Sequence, residues 1–122
     1  MATREVGEVN ENLEPVIAVE FVGGARIECV VDTGFNGALF LPRDFIELND
    51  FLLIGEETFH SAGQAEAHIA KVFSAEVKWL GAEIKVAVIA AEHGSALIGA
   101  EMMIEAKLEI DYTASTVVIE KV

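Results

Sequence analysis

Among the residues able to do chemistry, Asp32 has the most informative setting, the stretch Val30-Val31-Asp32-Thr33-Gly34. A carboxylate that follows two β-branched residues stands at the end of a strand expected to be buried. Placing a charge there is costly unless hydrogen bonds or a function hold it. One reading is a general acid or base presented at a strand end; the plainer one is a turn that terminates the strand. The other candidates carry less. His60, His68 and His93 have no Cys or His partner at metal-ligand spacing, so no metal and no cofactor is expected. Cys29 falls on the apolar parity of its strand with no neighbour to lower its pKa, which describes a buried, inert thiol. Ser61 and Ser95 occur in no nucleophile-elbow pattern, and Asp111 reads as a turn residue. Gly23-Gly24 lacks the spacing and the following helix of a phosphate loop. Met102 and Met103 read as core or interface packing.

The elements that must position Asp32 follow from periodicity. Ile17, Val19 and Phe21 alternate with polar positions, Gly23-Gly24 makes a tight turn, and Ile27, Cys29 and Val31 share a face opposite Arg26 and Glu28. This is a β-hairpin leading into Asp32. Ala38 to Leu41 reads as a short buried strand, and Pro42 suits the start of a helical turn. Residues 49–55 read as a linker. Residues 64–79 fit both a long strand and one helical face, because their alanines do not discriminate. Ile84, Val86 and Val88 mark another strand, residues 101–106 look helical, and residues 108–111 and 116–120 form a closing hairpin. Strands with two short helical pieces and no alternating strand-helix rhythm indicate a mainly β barrel-like or sandwich domain. Residues 1–14 carry Glu5, Glu8, Glu11 and Glu14 with little apolar content, so they read as a solvated N-terminal arm before a domain over 15–122.

Length and charge bound the function. The chain has 122 residues, 52% of them hydrophobic and 24% charged, enough for one domain with a real core. A net charge of −13 with no basic cluster repels nucleic-acid phosphates and anionic lipid, so neither nucleic acid nor membrane is an expected partner. Arg4, Glu5 and Glu8 interrupt the N-terminus before a secretory signal could form, and Cys29 has no partner in the chain; a reducing cytoplasmic setting is the expectation.

The sequence resembles the retropepsin-like aspartic protease family, including its small bacterial and archaeal members, in three places. Residues 29–37, with Leu39 and Leu41-Pro42, look like that family's catalytic loop and following strand. Thr58 to Val72, turning at Ser61-Ala62-Gly63, looks like its flap hairpin. Ala96-Leu97-Ile98-Gly99-Ala100-Glu101-Met102-Met103 is similar to its apolar-apolar-glycine motif and short helix. The resemblance implies a closed acid-protease β-barrel with a flap hairpin and one or two short helices, and a strand for the ambiguous segment. It implies that Asp32 is catalytic and that Thr33 and Gly34 support the active-site loop. Ser61, Ala62, Gly63 and Gln64 would bind substrate from the flap, and Phe35, Leu97, Ile98 and Gly99 would line the cleft.

The implied chemistry is peptide hydrolysis by two carboxylates that share one proton. This chain offers one such Asp, so the resemblance implies a homodimer acting on a peptide or protein substrate. The sequence departs from the family at Phe35, where retroviral-type members usually have a small residue, and its flap turn lacks the aromatic residue of pepsin-like enzymes. Two further readings stand beside the aspartic endopeptidase: a dimeric peptide-binding or scaffold module of the same fold, and a plain β-barrel ligand-binding domain with Asp32 as a structural turn residue.

Overall fold

A computed structural model describes residues 3–60, 67–92 and 94–122. Its strands are β1 (Arg4–Val9), β2 (Pro15–Phe21), β3 (Arg26–Val31), β4 (Leu39–Pro42), β5 (Leu52–His60), β6 (Ala67–Trp79), β7 (Ala82–Ala91), β8 (Leu97–Ile98), β9 (Ala106–Asp111) and β10 (Thr116–Lys121). A six-residue helix α1 (Arg43–Leu48) follows β4, and a 3-10 turn (Ala100–Met103) follows β8. The fold is mainly β. Its strands join in the order β5-β6-β7-β4-β8-β3-β2-β1-β10-β9, and a further β6–β2 pairing links non-adjacent members of the series. Two residue pairs, Glu20 with Lys78 and Phe21 with Val77, make that link and close a circuit through β2, β3, β8, β4, β7 and β6.

Period-two alternation places the core. β2 buries Pro15, Ile17, Val19 and Phe21 and turns Glu20 to solvent; β10 buries Val117 and Ile119. Leu39 and Leu41 of β4, Val88 of β7 and Ile98 of β8 are fully buried among them. Truncating one such leucine to alanine costs about 2–5 kcal/mol. Phe21, Phe45 and Phe51 meet in tilted and edge-on pairs with centroids 5.2 to 6.0 Å apart, which packs Phe45 of α1 against Phe21 of β2. The indole of Trp79 donates to the Met102 carbonyl at 2.8 Å, so the 3-10 turn is tied to β6 by a buried hydrogen bond.

The structure corrects three sequence expectations. Residues 4–9 are not a solvated arm: β1 pairs with β10 along its length and with β2 at its end. Only Val9 of β1 is buried, so periodicity carried no warning; the strand is held by its backbone. Gly7 is needed there, because a Cβ would overlap the Val16 carbonyl oxygen. Residues 49–55 are not all linker, since β5 begins at Leu52, with its register shifted between Leu53 and Gly55. Helical geometry beyond β8 ends at Met103, and β9 begins at Ala106.

The ambiguous segment is strand from Ala67 to Trp79. Its buried side changes parity, from Ala70 and Val72 to Ala75, Val77 and Trp79. The three-residue step from 72 to 75 produces an apparent helical period. It falls where β6 passes from its pairing with β5 toward its pairing with β2.

Candidate active site

Asp32 is positioned by strand insertion. β3 and β4 flank the turn that contains it, yet they do not pair with each other: β8 lies between them, parallel to β3 and antiparallel to β4. Backbone bonds staple both sides of the turn to the β8 segment. The Val30 and Asp32 amides donate to the Ala96 and Ile98 carbonyls at 2.8 and 2.9 Å; the Gly99 amide donates to Ala38 at 2.8 Å. The Ala100 and Glu101 amides then donate to Phe35 and Gly37 at 2.8 and 3.2 Å. Every one of these residues is common in loops or strands, and only the crossing gives the turn one conformation.

Close packing requires glycine at the crossing. A Cβ on Gly99 would overlap the Gly37 carbonyl oxygen and lie 2.6 Å from the Phe35 ring. A Cβ on Gly37 would lie 2.6 Å from the same ring. Phe35 thus covers both glycines, and its ring meets that of Phe40 edge-on at 5.9 Å.

Within the turn, the Gly34 amide donates to Asp32 Oδ1 at 2.9 Å, and the Phe35 amide donates to the Asp32 carbonyl at 3.1 Å. The first bond fixes the orientation of the carboxylate. Asp32 is half-buried, Thr33 and Gly34 are exposed, and Asp32 opens into a cleft of about 790 Å³. Cys29, three residues earlier in β3, is fully enclosed, and burial pushes its thiol up to about 12, so it stays a neutral core residue.

The structure brings Asp32, Gly34, Phe35 and Leu97 together along the cleft. It separates two expected lining residues from it. Ile98 follows Leu97 by one position in β8, so it faces the core and is fully buried, and Gly99 lies buried under Phe35. Ser61, Ala62, Gly63 and Gln64 lie outside the described residues, as does His93. The arms that lead to residues 61–66 pair antiparallel from Leu52–Ser74 to His60–Ala67.

Sequence reasoning missed Phe40, Glu57, Ala87, Ile89 and Glu101, all of which line the cleft. One signal for Ala87 and Ile89 was available: they are apolar on the parity of β7 that carries Glu83 and Lys85 earlier in the strand. Nothing local marks Glu57 or Glu101. Among the described residues, no group of three His, Cys, Asp or Glu side chains is placed to hold a metal ion, and no helix is long and apolar enough to cross a membrane.

No protein-family profile matches the chain, and no curated protein matches it either. Solved structures do. The chain is similar to a retropepsin-like aspartic protease from Rickettsia conorii with a TM-score of 0.69 at 16% identity, over 97% of this chain and 90% of that one. It is similar to a foamy viral protease-reverse transcriptase, in complex with an RNA/DNA hybrid, with a TM-score of 0.58 at 19% identity, over 80% of this chain and 13% of that one. The simian foamy virus (mac) protease gives 0.53 at 17% identity, over 72% of this chain and 90% of that one. The fold is therefore retropepsin-like.

Proposed function

We propose that this protein is an aspartic-type endopeptidase that works as a symmetric homodimer, with Asp32 from each protomer facing the other across the two-fold axis. The observation that carries this reading is a single half-buried carboxylate, oriented by the Gly34 amide at 2.9 Å and presented to an open cleft, at the strand crossing of a retropepsin-like fold. One carboxylate cannot serve as acid and base in the same step. Two in contact cannot both ionise, so the pair holds one proton and divides the roles.

In this reading the ionised Asp32 takes a proton from the water between the carboxylates as that water attacks the scissile carbonyl. The protonated Asp32 donates to the carbonyl oxygen. The tetrahedral intermediate then collapses as a proton passes to the leaving amine, with no covalent enzyme intermediate. Gly34 holds the carboxylate, the exposed Thr33 hydroxyl braces the partner's loop, and Ser61 to Gln64 pair with the peptide backbone.

The test combines molar mass by analytical ultracentrifugation with hydrolysis of a quenched fluorescent peptide library, for the wild type and Asp32→Asn. The wild type should cleave as a dimer, and the variant should remain a dimer without cleaving. Undiminished hydrolysis by Asp32→Asn would overturn the mechanism, and full activity in a strictly monomeric protein would overturn the shared dyad.

A further inference from the structure

The Asp32 cleft has two kinds of wall. Phe35, Phe40, Ile89 and Leu97 make it apolar, and Glu57 from β5 and Glu101 from the 3-10 turn add two exposed carboxylates. No Lys, Arg or His is found among its described lining residues. The cationic side chains Arg43 and Lys71 lie instead along an adjoining depression of about 470 Å³, which shares Phe40 with the cleft. There Arg43 pairs with Glu47 at 3.3 Å and Glu92 at 3.1 Å. Glu57 and Glu101 form no such ion pair among the described residues, and with Asp32 they do not converge into a metal-holding group. Their charge is left for whatever enters the cleft, and apolar walls focus the field of uncompensated carboxylates along it.

Resting on the peptide-binding reading of the Asp32 cleft, we propose that Glu57 and Glu101 are specificity-determining residues that select peptides carrying Lys or Arg beside an apolar residue. The apolar side chain packs between Phe35, Phe40, Ile89 and Leu97, and the cationic side chain reaches a carboxylate at the cleft margin. A glutamate at the same peptide position meets two like charges and is rejected. In a symmetric dimer each carboxylate occurs twice, so the preference holds on both sides of the scissile bond. The chain's net charge of −13 adds a long-range attraction for basic peptides, and its contribution is separable because a carboxylate removed outside the cleft changes it by the same amount.

The experiment compares peptides of one apolar core flanked by Lys, Gln or Glu. It reads kcat/KM for the wild type, Glu57→Gln, Glu101→Gln and the double variant, and binding of the same peptides to Asp32→Asn by fluorescence anisotropy. The Lys-to-Glu ratio should be about tenfold at low salt, should fall about threefold with either substitution, and should fall in the double variant to the small residual left by the net charge, as expected for partly solvated ion pairs. Glu109→Gln, on β9 and outside the cleft, changes the net charge equally and should leave the ratio unaltered. Hydrolysis with equal rates for Lys and Glu peptides, or a ratio unmoved by the double substitution, would overturn this specificity and leave the endopeptidase reading standing. Charge-ordered binding without hydrolysis of any peptide would do the reverse. Neither binding nor hydrolysis would remove both.

Discussion

Asp32 and Asp111 share a local design. Each ends or follows a strand, β3 or β9, and each side chain accepts backbone amides from the turn that follows. Gly34 donates to Asp32 at 2.9 Å; Thr113 and Ala114 donate to Asp111 at 2.9 and 3.0 Å. By count of hydrogen bonds, Asp111 is the better-held carboxylate. Their surroundings differ. The turn at Asp111 is exposed and joins two strands that pair directly with each other, β9 and β10. The turn at Asp32 joins two strands held apart by β8, is stapled by that crossing, and opens into an apolar-walled cleft. An Asp-turn is thus a common structural device, and tertiary insertion makes one of the two a candidate for catalysis.

The largest expected contrast is in activity. Asp32→Asn should lower peptide hydrolysis by about a thousandfold or more, the scale of a lost acid-base group, and Asp111→Asn should stay within about twofold of wild type. Comparable losses in both variants would erase the distinction between the two turns. Stability of the crossing comes next. Gly99→Ala forces a Cβ onto the Gly37 carbonyl oxygen, which is backbone and cannot swing away. It should cost about 3 kcal/mol or more in urea unfolding; a neutral result would mean that the crossing is looser than its hydrogen bonds indicate. Asp111→Ala removes the acceptor for two exposed amides and should cost about 1 kcal/mol by the same measurement.

The smallest effect concerns a third carboxylate that accepts a backbone amide, Glu5, whose Oε2 receives the Leu80 N–H at 3.0 Å across the fold. Burial, outweighing that hydrogen bond, holds the Glu5 carboxyl above its ordinary 4.5. The folded chain therefore binds this proton more tightly than the unfolded one. The stability it contributes is complete below about pH 4.5 and is lost as pH rises through the folded value. Glu5→Gln should flatten that decline in thermal unfolding followed across mildly acidic pH, whereas Asp111→Asn should leave it in place. An unchanged slope in Glu5→Gln would assign the decline to another group.

Much of the fold was legible because half-buried strands alternate. Ile17-Val19-Phe21 and Ile27-Cys29-Val31 announced β2 and β3, and the asparagine-free Gly-Gly turn between them is carried by Gly24 at a positive φ of 100°. β1 was illegible for the opposite reason. It buries one side chain, Val9, and earns its place through backbone bonds to β10 and β2, which leave no mark on composition. In the site, Asp32, Gly34, Phe35 and Leu97 could be read from their stretches. Glu57 and Glu101 could not, because nothing local separates a surface glutamate that borders the cleft from the many that do not.

The sequence by itself determined that the chain is acidic and mainly β and that Asp32 closes a buried strand before a glycine. Those properties depend on side-chain type and on a period of two, which are local. Only the tertiary structure decided that β8 would lie between β3 and β4, that Phe35 would cover Gly37 and Gly99, and that two glutamates far apart in sequence would border the same cleft. The reason is that insertion of one strand between two others is selected by the sum of long-range backbone pairing and packing, and no single segment carries that sum.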